Sequence, residues 1–235
     1  MTEDEKLNKI TDFIEKLKST NLEEKREAAW ELQDIGEDAS EAIPALVVAI
    51  KDDDWAVRSM SVLALGKLKY DKVNSDLIHL LQNDESEEVR ASAAEALVRI
   101  KPAEINSLLV RAIKDKHRLV RERVVWGLGV IGEQAKEAIP DIIDLLQKPD
   151  EGLIHSIAAW TLVELSAYEA IEPLTETMLM TEHDEIRFKL ALALANLEEG
   201  EGEGLTELRK MQNQGRLSPP EEEQLEEFLS LILYK

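Results

Sequence analysis

Ile35-Gly36-Glu37-Asp38-Ala39-Ser40-Glu41-Ala42-Ile43-Pro44 returns later in the chain as Ile131-Gly132-Glu133-Gln134-Ala135-Lys136-Glu137-Ala138-Ile139-Pro140, with eight of ten residues unchanged. The two copies start 96 residues apart, three periods of 32. Internal repetition of this length is the mark of stacked supersecondary units rather than of one globular core. A second motif carries the same period: Val57-Arg58, Val89-Arg90, Val120-Arg121, Ile154-His155 and Ile186-Arg187. Counted from Lys25, which fills the basic position of the first unit, the steps are 33, 32, 31, 34 and 32 residues.

Each unit reads as two helices. The first opens near a proline (Pro44, Pro102, Pro140, Pro173), where the missing N–H leaves no intrahelical bond unmade. Apolar residues at helical spacing follow, as in Leu46, Val47 and Ile50 or Ile142, Ile143 and Leu146. An acidic turn comes next, Asp52-Asp53-Asp54 or Asp84-Glu85-Ser86, whose oxygens suit the N-cap of the second helix. That helix is clearest from Val89 to Ile100, and glycine ends it at Gly36 and Gly132. This phasing predicts an all-α superhelix of about six to seven helix pairs with a C-terminal capping helix. It is expected to be one domain over 1–235: an N-terminal helix within 1–21, regular repeats over 22–197, and a degenerate last repeat and cap over 198–235. The opening helix is predicted near Asp4–Ser19. Glu198 to Gly204 reads as a flexible acidic joint, followed by helices near Leu205–Gln212 and Pro220–Tyr234.

The pattern Asp-x-x-Val-Arg-x-x-Ala-Ala-x-Ala-Leu-Gly-x-Ile, followed from about Leu22 to Leu197, resembles the phycobilisome-lyase type of HEAT-like repeat. The resemblance implies a right-handed superhelix with second helices lining a concave side. It implies no particular reaction, because the family includes bilin lyases, scaffolds and di-iron deoxyhypusine hydroxylases. The repeated arginine is expected to bridge neighbouring repeats through an acidic partner, and His155 to be a tolerated variant of it.

With the basic residue as position 0 and about 100° per residue, positions +3, +4, +7, +10 and +11 share one face, the predicted core. In the fourth unit these are Val124, Val125, Leu128, Ile131 and Gly132. Small residues at +6 and +8, such as Ala64 with Gly66 and Gly127 with Gly129, let flanking helices approach. Positions +2, +5 and +9 point away from the core. Position +5 holds Trp30, Leu63, Glu95, Trp126, Trp160 and Leu192, and so collects three of the chain's four tryptophans. Together with Arg99, Arg123, Val130, Ile157 and Glu164, the apolar members of this row form the candidate protein-binding groove. Trp and Arg are frequent anchors of interfaces, yet Trp at +5 also suits packing between adjacent inner helices, and both readings are open at this point.

Composition narrows the partners. Net charge is −21 with 28 basic and 49 acidic residues, which disfavours nucleic acid and anionic membrane and favours another protein. No cysteine is present, so disulfides and thiolate chemistry are excluded. The N-terminal residues carry no signal-peptide pattern and no apolar run approaches membrane length, so a cytoplasmic protein is expected. No phosphate loop, dinucleotide fingerprint or nucleophile elbow occurs. The four histidines read His79-Leu80, His117-Arg118, His155-Ser156 and His183-Asp184, without the His-Glu pairs of the hydroxylases. No cofactor, metal or catalytic residue is expected. The leading expectation is a non-enzymatic scaffold or adaptor that binds another protein on the concave face, and the alternative is an enzyme or enzyme subunit of the bilin-lyase type.

Overall fold

The computed structural model describes residues 2–148 and 153–233. Among them are fourteen α-helices: α1 (Glu3–Lys16), α2 (Leu22–Ile35), α3 (Ile43–Ala49), α4 (Trp55–Lys67), α5 (Asn74–Asn83), α6 (Glu87–Ile100), α7 (Ile105–Ala112), α8 (Arg118–Ile131), α9 (Ile139–Leu146), α10 (Leu153–Glu164), α11 (Ile171–Met180), α12 (Asp184–Leu197), α13 (Gly202–Asn213) and α14 (Pro219–Leu233). They divide into seven pairs, where about six to seven with a capping helix were expected. The predicted last residue of α14, Tyr234, lies outside the described residues. The chain forms two compact units, Met1–Gly127 and Leu128–Lys235. In the first, α2, α4 and α6 lie side by side as one layer, each against its own first helix. In the second, α10 packs on α12, and α12 on α13.

The repeated basic residue locks the turns. Arg58 Nη1 donates to the carbonyls of Asp52 and Asp53 in its own turn, at 2.9 Å each. Its Nε and Nη2 reach forward to the Asp84 carboxylate at 2.9 and 2.8 Å. Arg90 repeats this one unit on, with Nη1 on the carbonyls of Asp84 and Glu85 and a two-point pair to Asp115 at 2.8 and 3.0 Å. Arg121 Nη1 holds the carbonyls of Asp115 and Lys116. Each aspartate therefore serves twice, its carboxylate taking the preceding guanidinium and its carbonyl the following one. The same carboxylates accept the backbone N–H two residues on, from Asp54, Ser86 and His117, which sets the turn. Lys25 begins the series with a single bond to Asp52 at 2.5 Å. True N-cap oxygens come from the third turn residue: Asp54 caps α4 and Ser86 caps α6.

The series changes at α10. His155 is buried and its Nε2 lies 3.1 Å from the Lys148 carbonyl, which can only accept, so Nε2 carries the proton. The ring holds its own turn as an arginine does, but Thr181 stands 26 residues on, where aspartate faces Arg58. Both partners of the forward pair are thus replaced together. A cleft of about 870 Å³ opens at this junction, lined by Leu146, His155, Thr177, Met180, Thr181 and Ile186 among others. Arg187 resumes the pattern, bonding the Thr181 carbonyl at 2.5 Å and Glu207 of α13 at 3.4 Å.

Several expectations need correction. Pro44 and Pro140 do open their helices. Pro102 instead sits buried three residues ahead of α7, behind Lys101, which ends α6 in the left-handed conformation at φ 58°. Ile131 and Gly132, expected in the core, are only half-buried because α8 ends there. The acidic joint is a built cap: the Glu198 carboxylate accepts the N–H groups of Glu203 and Gly204 at 3.4 and 3.0 Å. Gly204 is pressed against α12 so closely that a Cβ would lie 2.6 Å from the Ala191 carbonyl oxygen.

Two outcomes follow from the turn lock. Asp115 is desolvated, which works against its charge, yet Arg90 and the His117 amide hold its carboxyl below the usual range. Its contribution is therefore complete above the unfolded carboxylate pKa of about 3.9 and is lost as pH falls below it. Arg90→Met should destabilise the protein by about 3 kcal/mol near neutral pH, since Asp115 is left charged and enclosed. In urea denaturation that penalty should shrink toward about pH 3, where the stranded carboxyl takes a proton. Conversely, His155→Arg with Thr181→Asp should rebuild the missing rung. The double variant should exceed the sum of the single effects by about 1 kcal/mol in a double-mutant cycle; zero coupling would show that the rung does not transfer.

Candidate protein-binding surface

The close packing of the second helices decides which side chains reach solvent. Gly66, at +8 of α4, faces Ala96, at +6 of α6; a Cβ on the glycine would lie 2.7 Å from the alanine Cα. One unit on, Gly127 at +6 of α8 faces Val98 at +8 of α6, with 2.7 Å to Cγ2. Between α4 and α6, Ser59 and Ser92 share a buried hydrogen bond of 2.8 Å. A glycine thus sits at each of these contacts, and a large residue at +5 must stand out from the layer.

In the first unit Trp30 is 52 % exposed on α2, and Leu63 is half-buried on α4. Glu95 of α6 accepts from Arg99 at 3.0 Å and, across the helix boundary, pairs with Arg123 of α8 at 3.2 Å. The Arg123 guanidinium lies over the half-buried Trp126 ring, 5.8 Å from its centre. Arg99 is exposed and Arg123 half-buried. These side chains form one connected group, Trp126–Arg123–Glu95–Arg99, whose central member was not among the predicted binding residues. The signal for Glu95 was its i, i+4 spacing to Arg99.

In the second unit Val130 and Trp160 are 41 % and 39 % exposed. Glu164 is exposed, and Ile157 and Leu192 are half-buried. Trp160 does two things: part of its ring covers Gly129, where a Cβ would meet Cη2 at 2.8 Å, and the rest faces solvent. All ten predicted residues therefore keep contact with water, and at Trp160 packing between repeats coexists with exposure. Leu153, Leu179 and Met180 are also exposed in this unit, at the helix ends beside the turns, where the positional scheme does not look. Among the described residues no cluster of three or more His, Asp or Glu is gathered for a metal, and no helix is long and apolar enough to cross a membrane.

A model of HEAT repeats matches residues 10–97, 74–162 and 108–195. The chain belongs to the HEAT-repeat family. Its all-helical repeat architecture has solved counterparts at low identity, where the likeness is one of fold. Escherichia coli YibA is 21 % identical over 85 % of this chain and 77 % of its own, with a TM-score of 0.64. The complex of CpcE and CpcF of phycocyanin lyase from Nostoc sp. PCC7120 gives 21 % over 66 % of this chain and 64 % of that one, TM-score 0.56. A designed armadillo repeat protein in complex with the peptide (KR)4 gives 19 % over 79 % and 98 %, TM-score 0.57. No curated protein matches the chain. The helical solenoid expected from the 32-residue period, and its HEAT type expected from the resemblance, are thus the observed fold.

The two tryptophans should behave differently. Trp160→Ala uncovers Gly129 and should cost about 2 kcal/mol of stability, while the more exposed Trp30→Ala should change it by less than about 1 kcal/mol. Urea denaturation of the two single variants checks the ranking.

Proposed function

We propose that this HEAT-repeat protein is a non-enzymatic scaffold that holds a protein partner on the outward face of its second helices. The observation that carries the reading is the +5 row: large apolar side chains stay accessible on helices whose other faces are closed. Exposed apolar groups gathered on one face are a usual sign of an interaction surface, and Trp with Arg beside it is a common anchor pair. The fold neighbours support it in kind, since they include a two-protein complex and a designed peptide binder. Excess negative charge supports a partner with basic character. The lack of cysteine accords with a cytoplasmic setting, which forms part of the same proposal.

Trp126→Ala and Trp160→Ala, singly and together, are expected to reduce capture of partners from a cell lysate while helical content by circular dichroism is kept. Equal capture by the double variant would remove the tryptophan row from the binding surface. Mixed with a free bilin, the protein should leave the pigment's absorbance unchanged; a shift would favour the lyase-type alternative.

A further inference from the structure

The face presented by the first unit is not uniform in charge. On α2 the exposed stripe reads Glu23, Glu27, Trp30 and Asp34, spaced i, i+4, i+7 and i+11 and so on one side of the helix. Of the cations of α2, Lys25 is bound to Asp52, and Arg26 makes a two-point pair with Asp54 at 3.1 and 2.7 Å and also reaches Glu23, at the start of the stripe, at 3.3 Å. Near the stripe the Lys16 amine stands 3.9 Å from Glu27, a loose pair at best. Next comes α4, where Met60 and Leu63 are half-buried and the Lys67 amine is held by the Gln33 carbonyl at 2.8 Å. Beyond lie α6 and α8, where one carboxylate, Glu95, faces two guanidiniums, Arg99 and Arg123. The sign thus runs from negative through apolar to positive, and the positive end stands against a chain of net charge −21.

We infer that this lane binds an extended partner segment of matching polarity: lysine or arginine over Trp30 and its carboxylates, apolar residues over Met60 and Leu63, and aspartate or glutamate over Arg99 and Arg123. The inference rests on the scaffold reading and adds the chemistry and orientation of the occupant. Four helices at about 9 Å spacing give a lane of roughly 27 Å, the span of about eight extended residues. At the acidic end the indole face and flanking carboxylates suit a cation. At the other end the guanidiniums suit a carboxylate, and the opposed signs penalise a segment laid the wrong way round.

The test uses the full chain and fluorescein-labelled octapeptides in anisotropy titrations at low salt. Lys-Arg-Ala-Leu-Leu-Gly-Asp-Glu should bind at least about ten-fold tighter than Lys-Asp-Ala-Leu-Leu-Gly-Arg-Glu, which has the same composition with its charges mixed. Glu27→Lys with Asp34→Lys, and separately Arg99→Glu with Arg123→Glu, should each remove that preference; all four side chains are exposed or half-buried, so the fold is expected to persist. Equal binding of the two peptides, or tighter binding of a uniformly basic Lys-Arg octapeptide, would overturn the polarity while leaving the scaffold reading intact. Failure of every peptide to bind, with partner capture still dependent on Trp126 and Trp160, would remove the lane as the site.

Discussion

The guanidinium that ties one turn to the next is the interaction on which the repeat depends. In a stacked array each unit touches only its neighbours, so the register of the whole is the product of its junctions. Apolar contacts between alanine- and leucine-rich helices are non-directional and tolerate sliding. Arg58 and Arg90 do not: each is almost fully buried and fixed at both ends, with two carbonyls behind it and two carboxylate oxygens ahead. A buried ion pair of this sort adds little net stability over well-packed apolar groups. Its value is geometric, because a shift of one residue would break four bonds at once. Asp84, hydrogen-bonded to Arg58, raises that guanidinium's pKa further, so the guanidinium stays charged at any ordinary pH.

Spacing then determines exposure. Gly66 against Ala96 brings α4 close to α6, and Gly127 against Val98 brings α8 close to α6, which leaves no room between these helices for the residue at +5. It must rise above the layer. On α4 and α8 the same sequence positions that tighten the packing therefore leave Leu63 and Trp126 in contact with water. Where the neighbour is glycine with space above it, as at Gly129, the indole folds partly over the gap and joins core and surface.

What could be read in advance was what repeats. The period, the helix pairs, the N-terminal prolines of α3 and α9, and the alanine and leucine core all follow from local pattern. The turn lock was expected only as an unnamed acidic bridge, because its partners are 25 to 27 residues apart and up to three acidic residues in a turn, as in Asp52-Asp53-Asp54, compete for the role. Geometry selects the first for the arginine and the third for the cap. The Glu198 cap was hidden for a related reason: a run of glycine and glutamate over 198–204 looks loose as composition, and only the packing of α13 on α12 gives Glu198 and Gly204 their tasks. Glu95 was missed as a binding-surface residue because its importance comes from two arginines on different helices, one of them 28 positions away.

The architecture also bears on the acidity. Lys25, Arg58, Arg90, Arg121 and Arg187 are held inside the turn locks, and Arg26 and Lys67 by neighbouring turns and carbonyls. Cations are thus drawn inward by the backbone oxygens they satisfy, while carboxylates such as Glu27 and Asp34 remain on the exposed helix faces. Most of these cations take a carboxylate inward with them, so the net negative charge is carried by carboxylates of the exposed helix faces. Against that field two arginines gather on one glutamate, with one of them resting on a tryptophan. A partner steered in by the general negative field would meet this group as a local reversal of sign, and a reversal within reach of one extended segment selects its orientation as well as its charge.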